Sequence, residues 1–104
     1  MAEYELVDAE VRALENPSAF AIPDRQARDA IAPGQLVKLI FRGDEIGSER
    51  MWVEVEKRVP GGGYIGRLDN EPVVVDLELD DEVRFGPEHI IEIHDGGSVS
   101  VSMH

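Results

Sequence analysis

The chain has 104 residues, with 22 acidic and 10 basic side chains, no cysteine and a formal net charge of -12. This length suits one domain with one core, and the lack of cysteine excludes disulfides, thiolate metal sites and a cysteine nucleophile. The excess of negative charge disfavours nucleic acid and anionic membranes as partners, because both repel carboxylates.

The N-terminus, "MAEYELVDAE", is acidic where a signal peptide would be basic and then apolar. No apolar run approaches the roughly 18 residues that a membrane span needs. We therefore expect a cytoplasmic protein that does not enter a membrane.

Two short helices are predicted at the start of the chain. The first covers residues 1–17, where Tyr4, Val7, Val11 and Leu14 are spaced as one apolar stripe before the stop at Asn16-Pro17. The second lies in "PDRQARDAIAPG", which has a proline suited to a first helical position and a Pro-Gly stop. Both need a larger surface to dock against.

From Gln35 onward the apolar period changes to two, which predicts strands. In chain order they are "QLVKLIF", "RMWVEVEKRV", "YIGRL", "VVVDLEL", "DDEVRF" and "HIIEI", with "PGGG" as a hairpin tip and residues 96–104 as an edge strand or tail. We expect an α+β fold in one domain, with a small, strongly curved antiparallel sheet or half-open barrel of five to six strands. The one or two N-terminal helices should cover one side of this sheet.

The segments "LVKLIF", "ERMWVEV", "YIGRLDNEP" and "DEVRFGPEHI", in that order, resemble the YegJ-like bacterial domain of unknown function over about residues 20–95. The positions that fit its motifs are Glu49, Met51, Trp52, Val53, Val55, Gly66, Leu68, Asn70 and Pro72. Gln35 and Asp80-Asp81 depart from the pattern. The resemblance implies a small mixed α+β domain, and it implies no substrate because the family has no assigned activity.

Trp52 is the only tryptophan, and alternation places it on the polar face of its strand with Arg50, Glu54 and Glu56. In one interpretation the helices cover this face, and the indole is core packed under Leu14 or Ile31. In the other the indole is exposed between arginines and carboxylates, which is typical of a binding hot spot. The candidate binding residues are Trp52, Arg50, Glu54, Arg67, Asp69, Asn70 and Glu71.

The last three of these residues, with Arg67, gather charge in the segment "GRLDNEP". A structural turn explains them equally well, because Asp and Asn bond to their own backbone and Pro72 keeps Glu71 extended.

Other chemistry finds little support in the sequence. His89, His94 and His104 match no metal-site spacing, although Glu92 and His94 share a strand face. No serine lies in a nucleophile motif, and "PGGGY" lacks the lysine and helix of a phosphate loop. We predict no catalytic residues, no metal and no cofactor.

The sequence thus favours a non-enzymatic module that binds a protein or peptide, as a monomer or weak homodimer. One alternative is a small enzyme that uses clustered carboxylates in a pocket. Another is a structural subunit whose edge strand, "SVSVSMH", pairs in a homodimer.

Overall fold

A computed structural model describes residues 4–43, 47–72 and 75–94 of the chain. In order, the elements are β1 (Glu5–Leu6), α1 (Ala9–Glu15), α2 (Arg25–Asp29), β2 (Leu36–Arg42), β3 (Ser48–Val59), β4 (Gly63–Leu68), β5 (Glu82–Phe85), a 3₁₀ helix (Pro87–His89) and β6 (Ile90–His94).

The strands form one antiparallel sheet in the order β1-β2-β3-β4-β5, curled into a half-barrel. The free edge of β2 is shared by two strands. Its residues 36–39 pair with β6, and the last two residues of β2 pair with β1. β3 and β4 form the predicted hairpin, whose tip contains Gly61 and Gly62 at φ of 99° and 102°. Glycine suits this tip because other residues rarely adopt positive φ. The predicted curved antiparallel sheet is confirmed.

The concave side of the sheet holds the main apolar core. Alternate residues of each strand point into it, which is the consequence of a period of two. Its buried members are Ile31, Val37, Leu39, Phe41, Met51, Val53, Val55, Tyr64, Leu68, Val75, Leu77, Val83, Phe85 and Ile90. These side chains fix which face of each strand turns outward.

A second, smaller cluster lies on the outward face of the sheet. Ile40 and Ile91 of the sheet pack there with Val7 and Ala9. Phe20 and Ile22 are partly buried against the same cluster. The N-terminal segment therefore covers one end of the outward face, largely through residues outside its helices.

Arg28 in α2 is the buried charged residue of the described structure, at 6% exposure. Its Nε donates to the carbonyl of Pro23 at 2.8 Å, and one terminal nitrogen contacts Glu10 Oε2 at 2.6 Å and the carbonyl of Pro87 at 3.0 Å. The Tyr64 hydroxyl donates to the Arg28 carbonyl at 2.8 Å. One side chain thus ties both helices to the 3₁₀ helix.

The first helix is shorter than predicted. Asp8 accepts a hydrogen bond from the Val11 N–H and caps α1, so the helix begins at Ala9 and residues 5–6 are a strand instead. The predicted stripe is also wrong, because Val11 is 47% exposed and Leu14 is 81% exposed.

The segment "VVVDLEL" is not the regular strand that its alternation predicts. Residues 75–80 form bends and a turn, and the first two valines lie outside the described residues. Val75 and Leu77 are nevertheless buried, whereas Leu79 is half-exposed. Among the described residues of this segment, the alternation correctly indicated that Val75 and Leu77 face inward, and it was wrong at Leu79.

The proposed edge strand or tail at residues 96–104 also lies outside the described ranges. Within those ranges, each helix is too short to cross a bilayer.

Candidate functional site

Trp52 lies on the outward face of β3 and is partly buried. Lys38 of β2 is directly opposite in register, and its Nζ lies 4.8 Å from the centroid of the indole ring. The His94 ring approaches edge-on, with its centroid at 6.0 Å and an interplanar angle of 67°. The indole therefore packs between a cation on its face and a second ring.

Neither interpretation of Trp52 from the sequence is met in full. The indole belongs to neither apolar cluster of the described residues. Ile31 is in the concave core and Leu14 is in solvent, so the helices do not stack on the indole as expected. The Lys38 ammonium group and the His94 ring lie against it instead.

The backbone around Trp52 is fixed from the β4 side. Its N–H donates to Asn70 Oδ1 at 2.6 Å, and its carbonyl accepts from the Asp69 N–H at 2.9 Å. These bonds continue the ladder beyond the last paired residue, Leu68. The Asn70 side chain is thus part of the turn structure, while Asp69 and Glu71 are exposed beside it.

Arg67 and Glu54 face each other across β3 and β4. The guanidinium nevertheless bonds to Glu56, with Nε to Oε2 at 3.0 Å, and also donates to the carbonyl of Asp80 at 3.4 Å. The hydrogen bond and charge of Glu56 raise the pKa of Arg67 above its ordinary value. Arg67 therefore stays charged, and its ion pair is with Glu56 and not with Glu54.

Arg50 lies at the border between this surface and the covered end of the outward face. It pairs in register with Ile40, which is buried in the second cluster. Its guanidinium lies 5.9 Å from the centroid of the Phe20 ring, a cation–π distance. The structure thus places all the predicted binding residues on or beside the outward side of β3 and β4.

Four residues of this surface were not among the predicted site residues. Lys38 and Glu92 form an ion pair at 3.1 Å, and Leu36 faces Glu54 on one side and His94 on the other. Alternation in "QLVKLIF" already places Leu36 and Lys38 on the face opposite Val37 and Leu39. Pairing between β2 and β6 was the missing information, because it joins residues more than 50 positions apart.

We call the outward surface formed by these residues the Trp52 face. It consists of Leu36, Lys38, Trp52, Glu54, Arg67, Asp69, Glu92 and His94. Glu92 and His94 share it, but the described residues include no group of three or more side chains suited to hold a metal ion.

Two cavities flank α1, at a distance in sequence from the predicted site. One, of about 360 Å³, is lined by residues that include Glu5, Asp8 and Glu15. The other cavity, of about 320 Å³, is lined by residues that include Glu10. Glu5 pairs with Arg42 at 3.2 Å, Asp8 caps the helix and Glu10 pairs with two arginines. Three of these carboxylates are therefore engaged in holding the fold.

No family model, curated protein or solved structure matches this chain. The resemblance to the YegJ-like domain stays a prediction.

Proposed function

We propose that this chain is a non-enzymatic module that binds a protein or peptide through the Trp52 face. The observation that carries the proposal is a partly buried tryptophan on the outward side of a sheet, beyond the part that the N-terminal segment covers. Tryptophan is enriched among the residues that dominate binding energy at interfaces.

The composition of the face supports this proposal. Its centre contains the partly buried side chains of Trp52 and Leu36. Around them stand exposed charges of both signs, including Glu54 and Arg67. An apolar centre with a polar rim is the usual anatomy of a protein interface.

The centre of the face is also held in place before any partner arrives. The N–H and the carbonyl of Trp52 both bond to the turn at Asp69 and Asn70, and its strand β3 pairs with β2 along the other edge. Lys38 and His94 restrict its ring. Binding would therefore cost little side-chain ordering, which favours affinity.

A displayed library of random peptides, selected on the wild-type protein, tests the proposal. The selected peptides should bind the wild type and lose at least about 30-fold in affinity for Trp52→Ala, the effect of removing a hot-spot residue. Affinities are measured by fluorescence anisotropy of labelled peptides. Circular dichroism melts of the variant establish that it is folded.

The matched control is Leu14→Ala, which removes an exposed apolar side chain from α1. This variant should keep wild-type affinity for the same peptides. Equal loss in the two variants, or selected peptides that bind Trp52→Ala as well as the wild type, would show that the Trp52 face is not the binding surface. Failure to select any peptide would also count against the proposal.

A further inference from the structure

Carboxylates on and beside the Trp52 face are left without ion pairs. Glu54 lies two residues from Trp52 on the same side of β3, and Asp69 lies next to Trp52 on the β4 side. Glu71 is exposed farther along the same turn. Within the described ranges, none of these three carboxylates is in an ion pair.

The cations of the face are, in contrast, already neutralised. Lys38 pairs with Glu92, and Arg67 pairs with Glu56. Lys38 also occupies one face of the indole, where a cation from a partner would otherwise bind. Arg50 at the border is the exception, since it is in no ion pair of the described residues and lies against Phe20. The three carboxylates outnumber it, so the face offers a partner an apolar centre and an excess of negative charge.

This inference rests on the proposed function: we propose that the occupant of the Trp52 face is an extended basic peptide segment in which Lys or Arg stands two residues from an apolar residue, so that both side chains point to the same side. Its apolar side chain contacts Trp52 and Leu36, and its cations pair with Glu54 and Asp69. The net charge of -12 adds long-range attraction for such a segment.

The spacing of the carboxylates fits an extended peptide. Residues two apart on a strand are separated by about 6.6 Å, and neighbouring strands by about 4.8 Å. Glu54 and Asp69 therefore both stand within one or two residue spacings of Trp52. Side chains two residues apart in an extended peptide point to the same side at the same interval, so a cation two residues from an apolar anchor reaches a carboxylate.

Three short peptides test this inference, with the repeats Lys-Ser-Val-Ser, Gln-Ser-Val-Ser and Glu-Ser-Val-Ser, each of which places its first residue and its valine on the same side of an extended chain. Each peptide carries a fluorescent label and is titrated with the full chain while its anisotropy is recorded, because Trp52→Ala removes the single tryptophan and therefore has no tryptophan emission to follow. The Lys peptide should bind at least about 10-fold more tightly than the Gln peptide, and the Glu peptide should bind weakest. Added salt should reduce the difference between the Lys and Gln peptides.

Charge-neutral variants locate the contact. Glu54→Gln and Asp69→Asn should each weaken the Lys peptide by about 3- to 10-fold, as expected for an ion pair at an interface. Glu15→Gln removes the same charge from the end of α1 and is the matched control. It should change the affinity less than about 2-fold, since exposed distant charges are screened.

The outcomes separate the two proposals. If the Gln peptide binds as tightly as the Lys peptide and Trp52→Ala weakens both, the partner is not basic. The Trp52 face would then still be the binding surface. Lys-peptide binding that Trp52→Ala and Glu15→Gln affect equally would reveal only attraction by net charge, and would overturn both. If no peptide binds, the basic partner is overturned, and the library selection decides the binding face.

Discussion

Individual side chains in this protein are placed by the strands that flank them. Trp52 is the clearest case, since its strand is bonded on both edges and its ring is held by neighbours from β2 and β6. Alternation along one strand indicated the direction of its side chain. The partners Lys38 and His94 came from pairings that no local pattern contains.

Tyr4 provides a test at the scale of one residue. Its ring lies 5.3 Å from the Phe41 ring, and burial, followed by the charge of Asp81, raises its pKa above the usual 10.0. Stability from the neutral hydroxyl is therefore fully present below the unfolded pKa and is lost as the pH rises through the folded pKa.

We expect Tyr4→Phe to lose less stability than the wild type when the pH is raised from about 9 to about 11, because phenylalanine has no proton to release. Urea unfolding at both pH values measures the difference. Near pH 7 the two proteins should have similar stability. An identical loss at high pH in both would show that Tyr4 is not the responsible group.

At the scale of elements, Gly66 in β4 allows β3 to approach closely. A Cβ at this position would lie 2.5 Å from the Glu54 carbonyl oxygen and 2.6 Å from Val53 Cγ1. The pairing of β3 and β4 also shifts by one residue between Val55 and Lys57. A bulge and a glycine together are a common way to bend a sheet.

Gly66→Ala should therefore destabilise the protein by about 2 kcal/mol or more, since backbone must move to admit the methyl group. Gly63→Ala in the same strand is the control, because its nearest contacts would be 3.3 and 3.4 Å. Urea unfolding of both variants gives the comparison. A smaller loss for Gly66→Ala than for Gly63→Ala would contradict the close approach.

The segment after β4 shows what alternation does not predict. Val75 and Leu77 are buried, but the Val75 N–H donates to Glu49 Oε2 rather than to a neighbouring strand. Asp80 has a left-handed φ of 78°, which ends any extended run. Side-chain periodicity reports burial, whereas a strand also requires a backbone partner. The helix α1 illustrates the same limit, because its apolar stripe was cut by the cap at Asp8.

At the scale of the whole molecule, Arg28 joins elements that are distant in sequence. Arg28 and Arg25 both contact the same atom, Glu10 Oε2, but their side chains are 7% and 65% exposed. Arg28 also bonds to the carbonyls of Pro23 and Pro87. Its removal would leave two partly buried carbonyls without this donor.

Arg28→Ala should therefore cost about 2 kcal/mol or more, because a buried guanidinium loses an ion pair and two hydrogen bonds together. Arg25→Ala should cost much less, because exposed ion pairs contribute little to stability. Thermal and urea unfolding compare the two variants under the same conditions. Similar losses of stability in the two variants would mean that the burial of Arg28 does not determine how much its contacts contribute.

The pairing of β6 with β2 has a consequence for the order in which the sheet assembles. β2 to β5 follow one another along the chain, so their contacts close short loops, whereas β6 must return to β2 from more than 40 residues away. Long loops close more slowly and at greater entropic cost. β6 is thus expected to join the sheet late in folding and to open early, and it carries Glu92 and His94 of the Trp52 face. Brief detachment of β6 would release Lys38 from its ion pair and expose more of the indole, so the charge and shape of the Trp52 face depend on the lifetime of one short strand.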